Sequence, residues 1–190
     1  MLDMGPYYLT ALVSLIGPMK RVAGMTSQAF DQRTVGSGAK AGASFAVETP
    51  THVAGLIEFV SGAIGTIVTS FDIWSANLPF IEIHGTEGSL SVPDPNTFGG
   101  PIRLFRPGSG WEDVALTHSF SENSRGLGLA DLADSLEHSQ PARASGELAL
   151  HVLDAMQAFG ESGAGGRFVD LGPGVRPAAL GRGEADAWLL

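Results

Sequence analysis

The chain has 190 residues, of which 44% are hydrophobic and 16% are charged, so it is not a charge-rich disordered sequence. The absence of cysteine excludes disulfides, thiolate zinc sites and cysteine nucleophiles. A net charge of -9 without any Lys/Arg run argues against nucleic acid as a partner.

Nothing in the sequence indicates a membrane partner. The apolar stretches are interrupted by Gly, Ser or Thr well before the roughly 20 residues that a membrane-spanning helix needs. The first residues lack the basic region and apolar run of a signal peptide. Together with the lack of cysteine, these features favour a cytoplasmic protein.

The first two thirds of the chain are dominated by β patterns. In chain order, the patterns predict a helix over 6–16, a strand over 19–30, a loop over 31–43 and hairpins over 51–74, 80–92 and 102–116. Pro6 suits a first helical turn, and Gly17-Pro18 ends that helix. The returning arm of the first hairpin is apolar and Thr-rich on both faces.

After residue 120 the apolar period changes from 2 to about 3.6, which predicts helices. One apolar face comprises Leu129, Leu132, Ala133 and Leu136, and another comprises Leu148, Val152, Ala155 and Phe159. Ser145 is the predicted N-cap of the second helix. Residues 168–171 are expected to form an edge strand, and residues 172–190 a flexible tail.

Strands joined by tight turns and followed by helices predict an α+β fold. We expect an open-faced, antiparallel-dominated sheet with helices packed on one face. The pattern lacks the alternation of strands and helices that builds a parallel sheet.

A nucleotide site and a metal site have no support in the sequence. The fingerprint G-x-G-x-x-G is absent, and its nearest match, Gly36-Ser37-Gly38, precedes no helical pattern. We therefore expect no cofactor in this chain. The five His residues lack metal-ligand spacing, and His52, His84 and His151 are interpreted as structural.

Four segments in the same order resemble the C-terminal domain of one enzyme family. The segments are Asp3-Met4-Gly5-Pro6-Tyr7, 59–66, 81–90 and 143–151. They resemble the Gfo/Idh/MocA family, named for glucose–fructose oxidoreductase, inositol dehydrogenase and a rhizopine-catabolism protein. The resemblance covers about residues 1–171.

The resemblance implies the substrate-binding and dimerisation half of an oxidoreductase. Family members join an N-terminal Rossmann domain, which binds NAD or NADP, to this α+β domain, which supplies a substrate wall and a sheet that packs between subunits. Sugars, cyclitols and related polyols are the implied substrates. A homo-oligomer through the sheet face is also implied.

The implied catalytic residues are only partly present. The family's catalytic lysine lies in an E-K-P segment of the Rossmann domain, and neither lysine of this chain lies in such a segment. In the family's D-x-G-x-H segment, Asp3 fills the first place, while Tyr7 replaces the usual His. A phenol with a pKa of about 10 exchanges protons less readily at neutral pH than imidazole does.

Four residues are therefore candidates for the site. Tyr7 is the catalytic candidate, with aromatic packing as the alternative. Asp3 is a substrate-binding candidate, with helix capping and stabilisation of the helix dipole as the alternative. Trp74 and Arg125 are weaker substrate-binding candidates, for which a structural or surface role is the alternative.

Three hypotheses follow from a family segment that begins at the first residues. In the first hypothesis, the chain is a truncated or split oxidoreductase, or an excised domain, that cannot act alone. In the second, it is a stand-alone dimerisation or ligand-binding module without catalysis. In the third hypothesis, a separate Rossmann polypeptide complements it.

Overall fold

The computed structural model describes residues 1–118, 120–122 and 124–181. The helices are α1 (Gly5–Ile16), α2 (Leu127–His138) and α3 (Gly146–Gly165). The strands are β1 (Met19–Ser27), β2 (Gln32–Thr34), β3 (Ser44–Ala46), β4 (His52–Phe59), β5 (Ile64–Ser70), β6 (Ile81–His84), β7 (Ser89–Val92), β8 (Ile102–Arg106), β9 (Gly110–Val114) and β10 (Val169–Asp170).

The main sheet has the strand order β10-β1-β4-β5, and all of its neighbouring strands are antiparallel. A β-bulge interrupts the register of β1 between Met19 and Arg21. Because a bulge shifts the alternation of side chains, Met19 and Val22 both face the core. The strand predicted over 19–30 is therefore confirmed over 19–27, but its side chains do not alternate regularly at this point.

Helices α1 and α3 cover one face of the main sheet. Leu9 and Val13 of α1 and Phe159 of α3 are fully buried there. The Phe159 ring lies on the cross-strand pair of Gly24 and Gly55, where a Cβ on Gly55 would come within 2.5 Å of the ring. Glycine at these positions lets α3 approach the sheet closely.

The opposite face of the main sheet is open. Met25 and Ile64 are 78% and 79% exposed there, and Leu56 and Val68 are also exposed. This arrangement confirms the predicted fold class, an α+β fold with helices on one face of an antiparallel sheet.

The remaining strands form two further sheets. Strands β6 to β9 make a four-stranded antiparallel meander, and β2 pairs with β3. The loop predicted over 31–43 is therefore partly wrong, because it contains the first strand of a small hairpin. The ion pair of Arg33 with Asp72, at 2.5 Å, fastens that hairpin to the chain beyond β5.

Helix α2 is confirmed, but its apolar side faces outward. Leu129 and Leu136 are 73% and 74% exposed, whereas Asp131 and Ser135 are buried. The Asp131 carboxylate accepts hydrogen bonds from the guanidinium and the backbone N–H of Arg143, which fixes the polar side of α2 against the connection to α3.

The chain after β10 runs back over the helices. A Cβ on Gly174 would come within 2.6 Å of the His151 ring, so this segment passes close to α3. Arg176 donates hydrogen bonds to the carbonyl oxygens of Ser14 and Leu15, both at 2.9 Å. Among the described residues, no helix is long and apolar enough to cross a membrane.

Candidate functional site

The N-terminal end of α1 carries the first two candidates. Asp3 lies in the turn before the helix and is exposed. The N-cap position is Met4, which makes no side-chain cap, so Asp3 does not fill the capping role that was its alternative. Its carboxylate makes no hydrogen bond or ion pair with any other residue in the described part of the chain. It is available to a ligand.

Tyr7 lies on the outer side of α1 and is 42% exposed. An open groove, here called the Tyr7 groove, is lined by Pro6, Tyr7, Thr10, Ala11, Ser14 and Pro95. Helix α1 supplies all of this lining except Pro95, which belongs to the connection between β7 and β8. The Tyr7 ring thus borders a groove between a helix and a loop rather than packing in the core.

The connection over residues 93–100, here called the 93–100 loop, has a defined conformation. The Asp94 carboxylate accepts the backbone N–H of Asn96 at 2.9 Å, as in an Asx turn. The Asp94 carbonyl accepts the backbone N–H and the hydroxyl of Thr97, at 3.0 and 2.8 Å. A Cβ on Gly99 would come within 2.3 Å of the Ser121 carbonyl oxygen, which shows how closely the two segments approach.

Tyr8 joins α1 to this loop. Its hydroxyl donates a hydrogen bond of 3.0 Å to Asp94 Oδ1, across 86 positions of sequence. Burial and the adjacent Asp94 carboxylate raise the pKa of Tyr8 to about 12. The phenol therefore keeps its proton throughout the neutral range and remains a donor.

Arg125 lies on the far side of the same loop. It is exposed and borders a second open hollow, here called the Arg125 depression, together with loop residues 96–100, Ser121 and Glu122. The 93–100 loop is therefore a wall shared by the Tyr7 groove and the Arg125 depression. Residues 119 and 123, which flank this region, lie outside the described residues.

Trp74 lies apart from both hollows. It follows β5 and is 97% exposed, in a segment where Phe71, Ile73, Leu78 and Phe80 are also exposed. Trp74 borders neither the Tyr7 groove nor the Arg125 depression.

The histidines interpreted as structural are all hydrogen-bonded. His52 and His84 pair with the hydroxyls of Ser70 and Ser89, at 2.9 and 3.0 Å. The Nε2 atom of buried His151 accepts the backbone N–H of Met19 at 3.0 Å. Burial lowers the pKa of His151, an effect that Asp154 opposes in part, so the ring is neutral in the folded protein.

Sequence reasoning missed Tyr8 and the 93–100 loop. The Pro, Asn and Gly residues of this segment predicted a long loop but no function. An Asx-turn signal, Asp94 two residues before Asn96, was present in the sequence. No sequence pattern connected that signal to Tyr8, because the contact depends on how the meander packs beside α1.

The comparisons bear on the whole domain. Residues 1–91 match a family profile described as GFO/IDH/MocA C-terminal domain. These residues, just under half of the chain, thus resemble the C-terminal domain of the Gfo/Idh/MocA family. The resemblance stated from the sequence is thus confirmed, and the matched segment includes α1 and the main-sheet strands β1, β4 and β5. No curated protein matches the chain.

Solved structures are similar in fold to most of the chain. A levoglucosan dehydrogenase in complex with NADH and L-sorbose is 20% identical, with a TM-score of 0.71 over 90% of this chain and 50% of its own. An NAD-binding oxidoreductase from Klebsiella pneumoniae is 21% identical, with a TM-score of 0.71 over 90% of this chain and 50% of its own.

A third similar structure is named as an oxidoreductase that acts on aldoses. Aldose-aldose oxidoreductase from Caulobacter crescentus, complexed with glycerol, is 19% identical, with a TM-score of 0.66 over 89% of this chain and 46% of its own. The chain thus spans about half the length of the solved structures that it matches. At these identities, the likeness establishes the fold.

Proposed function

We propose that this chain is the substrate-binding and dimerisation half of an NAD(P)-dependent oxidoreductase acting on a sugar, cyclitol or related polyol. The observation that carries the proposal is the Tyr7 groove, which lies on the helix that opens the family-matched segment. The names of the similar structures, which include NADH, L-sorbose and glycerol, support this class of reaction.

Each candidate has a role in the proposal, although Trp74 lies apart from the two hollows. Tyr7 donates a hydrogen bond to a substrate hydroxyl, or, in the direction of reduction, gives its proton to the carbonyl oxygen that becomes that hydroxyl. Asp3 accepts hydrogen bonds from other hydroxyls, and Arg125 donates to the part of the ligand that reaches its depression. Trp74 offers an exposed indole face on which a sugar ring can stack.

The described residues do not form a dinucleotide site. Such a site needs a Gly-rich turn between a parallel strand and a helix, so that backbone N–H groups meet the pyrophosphate. All the strand pairs here are antiparallel, and the sequence lacks G-x-G-x-x-G. We therefore place NAD or NADP, and the catalytic lysine, in a separate Rossmann domain that partners this one.

The open face of the main sheet supports the dimerisation role. Met25, Leu56, Ile64 and Val68 form an exposed apolar patch on adjacent strands, and such patches on folded domains commonly mark interfaces. We propose that a second copy covers this patch. Ile64→Lys should then convert a dimer to a monomer in sedimentation velocity, while Gln157→Lys, at an exposed position of α3 on the other face of the sheet, should leave the dimer intact.

The substrate role is tested by ligand binding to the isolated chain. We expect saturation-transfer NMR to detect L-sorbose or a cyclitol on the wild-type chain, and Tyr7→Phe to weaken that binding about fivefold, the equivalent of one net hydrogen bond. With NAD(P)⁺ added, the isolated chain should show no turnover. Turnover, or a folded chain that binds no polyol, would contradict the proposal.

A stand-alone, non-catalytic dimerisation or ligand-binding module is the second candidate. The extent of the open apolar face favours it, because that face needs no catalytic partner. The two functions differ in one measurement. Titration with a Rossmann domain cloned from a similar oxidoreductase should restore polyol-dependent NAD(P)H formation only if the first proposal holds.

A further inference from the structure

Two adjacent tyrosines of α1 have different surroundings. Tyr7 borders its groove and is exposed, whereas Tyr8 is partly buried and reaches Asp94. Successive residues of an α-helix point about 100° apart, so one turn of α1 can present one phenol to a ligand and the other to the 93–100 loop. The second phenol has no role in the function proposed above.

Asp94 connects that phenol to the conformation of the loop. One carboxylate oxygen, Oδ1, accepts both the Tyr8 hydroxyl and the backbone N–H of Asn96. The Asp94 carbonyl accepts both the backbone N–H and the hydroxyl of Thr97. The anchor on α1 and the turn that orients Asn96 and Thr97 therefore share one residue.

The loop residues after Asp94 pack closely against their neighbours. A Cβ on Gly99 would collide with the Ser121 carbonyl oxygen, and a Cβ on Gly100, whose φ is 125°, would come within 2.6 Å of Pro93 Cβ. A closely packed loop moves as a unit. A change at Asp94 would thus displace Pro95 in the Tyr7 groove and Asn96 in the Arg125 depression together.

The exposed side of the loop carries groups suited to a neutral polyol. Asn96 is exposed, and its side-chain amide makes no hydrogen bond to any residue in the described ranges, so a donor and an acceptor are both available. Arg125 and Glu122 border the same depression with opposite charges. Balanced charges favour a neutral hydroxyl-rich ligand over an anionic sugar acid.

We propose that Tyr8 is a positioning residue that holds the 93–100 loop against α1, and that Asn96 on this loop binds hydroxyls of a neutral polyol. The proposal rests on the function proposed above and extends it. Tyr8 touches no ligand in this scheme. It acts through Asp94, and Asn96 makes the contact.

Three variants separate positioning from contact. Tyr8→Phe removes only the hydroxyl that reaches Asp94, Asn96→Ala removes the ligand-binding amide, and Tyr7→Phe is the matched control on the neighbouring residue. Hydrogen exchange over residues 94–100 reports the loop. Saturation-transfer NMR with L-sorbose and with gluconate reports binding and the preference for a neutral ligand.

We expect Tyr8→Phe to speed exchange in the loop about fivefold, as for one lost hydrogen bond, and to weaken L-sorbose binding by a similar factor. Asn96→Ala should weaken binding with unchanged exchange at the loop amides, and Tyr7→Phe should leave the loop amides unchanged. L-sorbose should bind more tightly than gluconate.

Several results would overturn the inference separately from the proposed function. Unchanged loop exchange in Tyr8→Phe ends the positioning role even if the wild type binds sugar. Unchanged binding in Asn96→Ala ends the contact role, and tighter binding of gluconate ends the neutral-ligand assignment. A folded wild-type chain that binds no sugar contradicts the proposed function itself, and with it the contact role of Asn96.

Discussion

Helices α2 and α3 have similar apolar periodicity, but they present it to different surroundings. The apolar residues of α3 pack on the main sheet, and Phe159 is fully buried. On α2, Leu129 and Leu136 are exposed, and the buried side is the polar one, with Asp131 and Ser135. A helical stripe of leucines is thus a core face only where a second apolar layer faces it.

The difference arises from what fixes the rotation of each helix. Shape fixes α3, because Gly24 and Gly55 leave a space on the sheet that the Phe159 ring fills. Hydrogen bonds fix α2, because buried Asp131 binds the guanidinium and the backbone N–H of Arg143. Phe159 is thus the anchor of α3, and Asp131 is the anchor of α2. Replacing each anchor should lower stability by a different amount.

The largest effect is expected from the α3 anchor. Phe159→Ala should lower the free energy of unfolding by about 3–5 kcal/mol, because it leaves a cavity over two glycines that cannot fill it. Urea unfolding monitored by circular dichroism measures the loss. Leu150→Ala, at an exposed position of the same helix, is the control. A loss below about 1 kcal/mol, small for a buried aromatic ring, would contradict the packing described.

The α2 anchor should have a smaller but clear effect. Asp131→Ala removes the buried carboxylate that accepts hydrogen bonds from the Arg143 guanidinium and backbone N–H, and should lower the free energy of unfolding by about 1.5–3 kcal/mol. Glu137→Ala removes the same charge type from the exposed side of α2 and should change stability by less than about 0.5 kcal/mol. Equal losses in the two variants would show that Asp131 is not the anchor.

These two helices also mark how far the sequence could predict the fold. The α3 face of Leu148, Val152, Ala155 and Phe159 was identified correctly, as was the Ser145 N-cap, which accepts the Leu148 N–H at 3.2 Å. Local chemistry determines these features. The orientation of α2 was not predictable from periodicity, because it depends on an ion pair across twelve residues.

The candidate site shows the same limit. Asp3 and Tyr7 could be proposed as candidates because they lie in one short segment that resembles a family pattern. Tyr8 and Asp94 were missed because their hydrogen bond joins positions 86 residues apart. The bulge in β1 was missed for a related reason, because it depends on how β1 pairs with β4, a strand that lies further along the chain.

A third prediction concerns the pH dependence of the α3 side. Burial lowers the folded-state pKa of His151 below its unfolded value of about 6.5, so the unfolded chain binds the proton first as pH falls. The stability contributed by the neutral ring is therefore complete above pH 6.5, roughly the unfolded pKa. It is lost below that pH at up to about 1.4 kcal/mol per unit until the folded-state pKa is reached.

Substitution can isolate this titration. His151→Gln keeps an acceptor for the Met19 N–H and removes the titrating ring. The free energy of unfolding, measured between about pH 7 and about pH 5, should therefore lose the pH dependence that His151 contributes. His138→Gln, on the exposed end of α2, should keep the pH dependence of the wild type. An identical pH slope in wild type and His151→Gln would show that His151 is not the group responsible.

The smallest effect on stability is expected on the outer face of α2. Leu136→Ser should change the free energy of unfolding by less than about 0.5 kcal/mol, because the Leu136 side chain is 74% exposed and leaves no cavity. Urea unfolding of wild type and variant at two protein concentrations tests this. A loss above about 1 kcal/mol that grows with protein concentration would mean that another copy covers Leu136 in solution, since association makes apparent stability depend on concentration. The exposed leucines of α2 would then form an interface. The apolar side of α2 would be buried against another copy, whereas that of α3 is buried within the same chain.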